Sequence, residues 1–278
     1  MMDMLGHEFM RNALLAGLLA SLACGVIGSL VVVRRLVFIA GGISHTAYGG
    51  IGLGYLLDFP PIYGAAGASV LAALIIGLID QGLGQHADTV IGVIWAVGMA
   101  LGVVFVALTP GYAPDLMSFL FGDILLVPSS DIIHMIVLNA LILLITGALF
   151  KEFRAVSYDE LFARVRRVPA KALHVLMLCM IALTTVMLIR IVGIILVIAL
   201  LTIPAAIARL FSRSLAQMMV LATLIGMFVT TTGLFASYAL GVRGIGMPAG
   251  PLIILLAGTL YLAAVAAAWL RPRLAGRS

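Results

Sequence analysis

The sequence predicts an all-α, polytopic membrane protein with eight to nine transmembrane helices. Of its 278 residues, 64% are hydrophobic and only 10% are charged, and the mean hydropathy is +1.26. Soluble domains carry about a quarter charged residues, so this composition suits lipid rather than water. The apolar residues also form long uncharged runs, and backbone groups in lipid must find their hydrogen bonds inside a helix. We therefore expect a single transmembrane domain over residues 1–278.

Nine runs are long enough to cross a bilayer, which takes about 20 mostly apolar residues. They cover residues 12–33, 36–57, 62–79, 89–109, 132–150, 172–189, 191–208, 215–240 and 249–270. Only Arg190 separates 191–208 from the run before it, so this run could instead be a re-entrant or half-length helix. The first run lacks a basic segment before it and is too long for a signal peptide, so we expect it to be kept as a span.

Lysine and arginine predict the orientation of the spans. With nine crossings, all but three of the 16 basic residues lie on one side, the exceptions being Arg11, Arg190 and Arg243. The positive-inside rule then places the C-terminus in the cytoplasm and the N-terminus outside, as in a multi-pass protein of the cell inner membrane. We read the net charge of +5 as this topology signal, and expect membrane lipid rather than nucleic acid around the chain.

Two connecting segments are long enough to have a role of their own. The outer one, about 110–131, is half apolar, and its Asp115 and Asp123 are equally placed to form an outer gate. The inner one, 151–171, is polar and strongly basic. It could lie on the membrane surface, attracted by anionic lipid, or dock a cytoplasmic partner, and its residues alone favour neither.

The run 36–57 is the most unusual of the nine. It holds six glycines, namely Gly41, Gly42, Gly49, Gly50, Gly52 and Gly54. Small residues let membrane helices approach closely, so this helix is predicted to be central and tightly packed. Its His45 lies ten residues from Arg35, about 15 Å along the axis and therefore near the bilayer midplane. An ionisable residue at that depth indicates a substrate or ion path, although a histidine hydrogen-bonded between helices is the alternative.

Missing motifs exclude several enzyme classes. The chain has no HExxH for a zinc protease, no GxSxG for a serine hydrolase and no GxxxxGK[ST] for nucleotide binding. Its two cysteines, Cys24 and Cys179, form no CxxC pair, so neither a disulfide framework nor a redox motif is predicted. If this protein uses ATP, the ATPase must be another chain.

The segment 199–217 combines a proline with basic residues. Pro204 is expected to break the helix just before the inner surface, and Arg209 and Arg213 follow it. A short bent helix along the cytoplasmic face is one interpretation, and a proline kink followed by an ordinary basic turn is the other.

Six stretches in a fixed order resemble the zinc- and manganese-type ABC transporter permease family of bacteria. They are RRLVFIAGGISHTAYGGIGLGYLL, HADTVIGVIWAVGMALGVV, DLMSFLFGDILLV, VSYDELFAR, VGIILVIALLTIPAAIARLFSR and MPAGPLIILLAG. Each stretch is loose alone, but six in the right order are specific, and together they cover nearly the whole chain.

The resemblance implies a set of partners. Such permeases pair in the membrane, line a path between the two copies and receive metal from an extracytoplasmic binding protein. Two cytoplasmic ABC ATPases grip short coupling helices, which here correspond to the segment with Pro204, Ala205, Arg209 and Arg213. The resemblance thus favours partner docking for that segment, and only slightly so for 151–171.

One position departs from the family pattern. The family carries an aspartate four residues before the histidine, and in this sequence that position is Gly41. An aspartate and a histidine one turn apart would offer oxygen and nitrogen to one ion, whereas His45 alone offers a single ligand. Ser44, Thr46, Tyr48 or a residue of the paired permease could replace the missing group.

The sequence therefore predicts a permease subunit for import of a divalent transition metal ion, with no permanently bound cofactor. Zinc, manganese and iron all remain open as the cargo. A permease for a metal chelate or another small solute is the alternative, and a secondary transporter is less favoured because buried acids are scarce.

Overall fold

A computed structural model describes residues 8–83, 87–110, 122 and 124–275, and all regular structure in these residues is helical. The helices are α1 (Glu8–Val33), α2 (Val37–Leu56), α3 (Pro61–Leu83), α4 (Ala87–Leu108), α5 (Ser129–Ala148), α6 (Phe150–Tyr158), α7 (Glu160–Val165), α8 (Ala170–Phe211), α9 (Leu215–Val242) and α10 (Ala249–Ala275). A 3-10 turn, Ile124–Leu126, precedes α5.

Eight stretches in the described residues are long and apolar enough to cross a membrane, and α8 supplies two of them, Ala170–Ile189 and Ile191–Phe211. Helix α2 is not among the eight because its glycines, histidine and hydroxyl residues lower its hydropathy. It is nevertheless 20 residues long and packs between α3 and α4. The predicted membrane protein of eight to nine helices is therefore confirmed.

The two spans of α8 run in opposite directions. The first runs antiparallel to α3, with Val175 and Leu178 against Gly77 near the end of α3 and with Val186 and Ile189 lining a cavity beside its start. The second runs back toward the end of α1, where Leu201 lies against Gly28 and Arg209 donates to the carbonyl of Val32. The backbone leaves helical geometry at Gly193, with φ 77° and ψ 160°. That conformation is readily available only to glycine, so a single glycine turns the chain back. The run 191–208 is accordingly a span of full length rather than a re-entrant helix.

Hydrogen bonds group the helix ends into two layers. At one end of the bundle, Asn12 near the start of α1 donates to the carbonyl of Val127 and to Ser129 at the start of α5. At the other end, Arg34 just beyond α1 donates to the carbonyl of Val156, and Arg209 donates to that of Val32. We call the second layer the basic end. It holds α6, α7 and the end of α8, as the alternation of nine crossings predicts.

Pro204 does not break its helix. It lies inside α8, which continues with helical torsions to Phe211. A proline removes one backbone hydrogen bond, and membrane helices tolerate this where neighbouring helices enclose the site. Ala205 and Ala208 are fully buried against Met218 and Ala222 of α9. The residues expected to form a separate short helix are thus the last turns of α8 and the turn Ser212–Ser214 that follows.

The basic segment after α5 folds back on the bundle as two short helices. Phe153, Val156 and Ala163 are buried, so one face of α6 and α7 packs inward. The carboxylate of Asp159 caps α7 by accepting a hydrogen bond from the backbone N–H of Phe162. Side chains on the opposite face, among them Arg154 and Arg166, are exposed.

Candidate functional site

Helix α2 lies at van der Waals distance from the backbones of its two neighbours. A Cβ on Gly50 would overlap the carbonyl oxygen of Gly64 in α3, and one on Gly64 would overlap that of Gly50. On the α4 side, a Cβ on Gly49 would lie 2.7 Å from the carbonyl oxygen of Gly98. Of the predicted packing glycines, Gly49 and Gly50 thus lie against neighbouring backbones, whereas Gly41 and Gly42 lie against the side chains of Trp95 and Ile91.

His45 stacks on Trp95 of α4. The ring centroids are 4.3 Å apart and the planes differ by 16°. The imidazole Nδ1 is buried, and no residue in the described part of the chain hydrogen-bonds to it. The histidine as a whole is partly exposed at the edge of the bundle. Because Nδ1 faces the protein, Nε2 is the nitrogen left open to a ligand.

The same indole covers Gly41. A Cβ added at Gly41 would lie 2.9 Å from Cζ3 and 3.2 Å from Cη2 of Trp95. Phe38, one turn earlier, also contacts the indole, with centroids 5.6 Å apart and planes tilted by 41°. Trp95 therefore occupies the space next to His45 where a side chain at position 41 would otherwise project.

The hydroxyls next to His45 are directed elsewhere. Ser44 is fully buried and donates to the carbonyl of Ala40 at 2.7 Å. Thr46 donates to the carbonyl of Gly42 at 2.8 Å and lies 3.4 Å from that of Ile94. Tyr48 is buried with its ring against Gly102 of α4. The hydroxyls of Ser44 and Thr46 thus donate to carbonyls of α2 itself.

An apolar groove opens beside Thr46. It has a volume of about 520 Å³ between α2, α3 and α4, and its lining includes Gly49, Gly67, Leu71 and Phe105. Within the described residues no group of three or more His, Cys, Asp or Glu side chains could hold a metal ion. Among these residues His45 is therefore a single candidate nitrogen ligand.

The predicted gate residues Asp115 and Asp123 lie outside the described residues. Gly122 between them is described, with φ +63°. A Cβ on Gly122 would overlap the backbone of Val192 and Gly193, so this residue sits directly on the turn between the two spans of α8. This contact was not predicted from the sequence, in which the only signal is a glycine in each segment.

The predicted docking residues lie at the basic end. Arg209 and Arg213 are exposed, and the backbone N–H of Arg213 donates to the side-chain oxygen of Gln217. A shallow groove of about 630 Å³ borders this turn and is lined by residues such as Phe211 and Val220. Pro204 and Ala205, in contrast, are buried or packed inside the bundle.

The helices and the close-packed α2 define a polytopic membrane protein. Residues 6–268 match the ABC 3 transport family, and the chain belongs to that family. This confirms the family that the sequence motifs resemble.

Relatives cover nearly the whole chain. An uncharacterized membrane protein of Synechocystis sp. is 46% identical over 96% of this chain and 93% of its own length. The manganese transport system membrane protein MntC of Listeria monocytogenes is 33% identical over 84% of this chain and 82% of its own. The solved structure of PsaBC from Streptococcus pneumoniae in complex with Fab is similar with a TM-score of 0.84 and 31% identity, covering 95% of this chain and 93% of that one.

Proposed function

We propose that this chain is the membrane-spanning permease subunit of an ATP-driven importer for a divalent transition metal ion. The whole chain acts as one permease domain, and the metal is its cargo rather than a resident cofactor. The relatives named as manganese transport membrane proteins support the substrate class.

The observation that carries the proposal is the position of His45. It is the only His, Asp, Glu, Lys or Arg of α2, it lies near the middle of that helix, and its side chain is partly exposed. Ionisable groups at that depth are costly in lipid and are retained for transport paths. A single imidazole binds a divalent ion weakly, which suits a site that must release what it takes up.

The two ends of the helix bundle offer surfaces for different partner proteins. Arg209 and Arg213 beside the groove at the basic end form the docking surface for a separate cytoplasmic ABC ATPase. The positive-inside rule then places the basic end and the C-terminus in the cytoplasm. A second permease copy covers the exposed edge at His45, and an extracytoplasmic metal-binding protein delivers the ion at the opposite end.

A permease for a metal chelate or another small solute is the second candidate. It is favoured by the lack of any Asp or Glu in α2 and in residues 89–108. A chelate brings its own ligands and needs few from the protein. A secondary transporter is less well supported, since such proteins use ionisable groups near the midplane, where α2 offers only one.

Uptake into proteoliposomes tests the proposed function. The chain, its ATPase and its binding protein are reconstituted together, and accumulated zinc, manganese, iron, cobalt and nickel are measured by elemental analysis with ATP and with a non-hydrolysable analogue. ATP-dependent accumulation of a free ion supports the proposal. If ATP is hydrolysed and no free ion enters, while a metal chelate does, the second candidate is correct.

Copurification tests the docking surface. Arg213→Glu reverses a charge beside the groove at the basic end, whereas Arg243→Glu reverses an exposed charge at the opposite end of α9. We expect only the first change to reduce recovery of the ATPase with the permease. Equal recovery with both variants would place the ATPase elsewhere.

A further inference from the structure

We propose that Trp95 is a specificity-determining residue of the transport path. It keeps carboxylate oxygen away from this point of the path and presents His45 as a nitrogen ligand. Metal ions that prefer imidazole, such as zinc, are therefore favoured over manganese. The inference rests on the proposed function and names the substrate class of the same site.

Trp95 fills the space next to Gly41. The outer edge of its six-membered ring lies over Gly41, where even a Cβ would approach to 2.9 Å. Phe38 holds the indole from the preceding turn of α2. A larger side chain at position 41, one turn from His45, is therefore incompatible with Trp95 in its present place.

Trp95 also orients the imidazole of His45. Nearly parallel stacking at 4.3 Å fixes the plane of the His45 ring against the indole. Nδ1 is buried beneath the surface, so a ligand can approach only through Nε2. The indole face also attracts a ring that carries positive charge when an ion binds to it.

Oxygen ligands are scarce around His45. Neither α2 nor residues 89–108 contain Asp or Glu. The hydroxyl of Ser44 is buried on another face, and that of Thr46 is turned to the carbonyl of Gly42. A second copy of this chain across the path would contribute another His45 and the same absence of acids.

Ligand chemistry then sets the preference. Imidazole nitrogen suits zinc, copper, iron and nickel, whereas carboxylate, carbonyl and water oxygen suit manganese, magnesium and calcium. Zinc binds more tightly than manganese to most sites, so the informative quantity is the change in the ratio of zinc to manganese between variants.

The test compares two double variants that differ by one carboxylate. In Gly41→Asp/Trp95→Ala the indole is removed and an aspartate is placed one turn from His45; in Gly41→Ala/Trp95→Ala the indole is removed without adding an acid. Zinc and manganese uptake are measured in competition in proteoliposomes, with binding of each metal to the assembled transporter as a second readout. Trp95→Phe tests whether another aromatic ring maintains the wild-type ratio of zinc to manganese uptake.

We expect wild type and Trp95→Phe to prefer zinc, and the aspartate variant to shift the ratio toward manganese by about tenfold relative to the alanine variant. The inference is overturned if wild type takes up manganese as readily as zinc, or if the two double variants have the same ratio. Those results leave the proposed function standing. If neither metal is bound or transported by any of the proteins, the inference is overturned, and the uptake of iron, cobalt and nickel then decides whether the proposed function stands.

Discussion

The indole of Trp95 lies almost parallel to the imidazole of His45, with 4.3 Å between the ring centroids. Trp95 also lies over Gly41, so one aromatic ring both orients the histidine and occupies the space one helical turn before it. The candidate site is thus shaped by a residue on the neighbouring helix as much as by α2 itself.

Gly41 and Trp95 are expected to be energetically coupled. Gly41→Ala should lower the thermal stability of the purified protein, because the new methyl group displaces the indole by a few tenths of an ångström or more. The same change made together with Trp95→Ala should cost less than the sum of the two single changes. A double-mutant cycle of unfolding temperatures measures the difference, and additive effects would show that the two residues do not share this space.

Gly50 is expected to tolerate no side chain. Gly50→Ala places a methyl group on the carbonyl of Gly64, which is backbone and cannot move aside, so the α2–α3 contact should be lost at a cost of about 2 kcal/mol or more. Gly67→Ala in α3 is the matched control, because a Cβ there meets no atom within 4 Å. Thermal unfolding in detergent should show a large loss for the first variant and none for the second. Similar losses for both would contradict the packing.

The basic segment should be held by a carboxylate between two arginines. Glu160 accepts hydrogen bonds from Arg34 at 2.9 Å and from Arg164 at 2.6 Å. Partial burial by itself would raise the pKa of the Glu160 carboxyl, but the hydrogen bonds and charges of Arg34 and Arg164 together lower that pKa below its ordinary value of 4.5. A lowered pKa in the folded state stabilises the fold above the ordinary pKa, and this stabilisation is lost as the pH falls through the folded value.

Arg34→Gln should therefore release α6 and α7 at neutral pH. The loss is expected to be about 1–2 kcal/mol, since Arg34 also donates to the carbonyl of Val156 and is only 14% exposed in its side chain. Arg154→Gln removes the same charge from an exposed position of α6 and serves as the control. Limited proteolysis of the segment 150–165 between pH 3 and pH 7 should show wild type opening only at acid pH and Arg34→Gln already open at pH 7. If Arg34→Gln and Arg154→Gln gave identical digestion profiles, Arg34 would not anchor α6 and α7.

Gly122 should be required for its contact as well as for its backbone conformation. Gly122→Ala and Gly244→Ala both place alanine at a positive φ, which costs about 1–2 kcal/mol in each case. Only Gly122 also meets the backbone of Val192 and Gly193, whereas the surroundings of Gly244 are open. We expect the Gly122 variant to lose clearly more thermal stability than the Gly244 variant. Equal losses would mean that the contact at the α8 turn contributes nothing.

The spans were predictable because lipid imposes long apolar helices, and even the doubtful run 191–208 was found at nearly the right residues. The position of His45 on a glycine-rich helix was predictable from spacing alone. Two separate crossings over 172–189 and 191–208 were also predicted, from the alternation of basic residues, but Gly193 was not predicted as the residue at which the chain turns, because a glycine between two apolar runs can equally lie inside a continuous helix. The predicted helix break at Pro204 was wrong because a proline enclosed by neighbouring helices does not end its helix.

Trp95 was not predicted as part of the site. Its contact with His45 joins residues 50 positions apart, and nothing in the period of α4 indicates which of its residues faces position 41. The glycine at that position was visible in the sequence as a missing acid, but the reason it must be small became evident only from the indole above it.

Zinc uptake by the His45→Ala variant most directly tests whether His45 belongs to the transport path. The variant is reconstituted with the ATPase and binding protein and compared with His134→Ala, which removes an exposed histidine from α5. Both variants should purify as folded complexes that hydrolyse ATP. We expect His45→Ala to lose ATP-dependent metal uptake and His134→Ala to retain it. Full uptake by a folded His45→Ala complex would contradict the assignment of this histidine to the transport path.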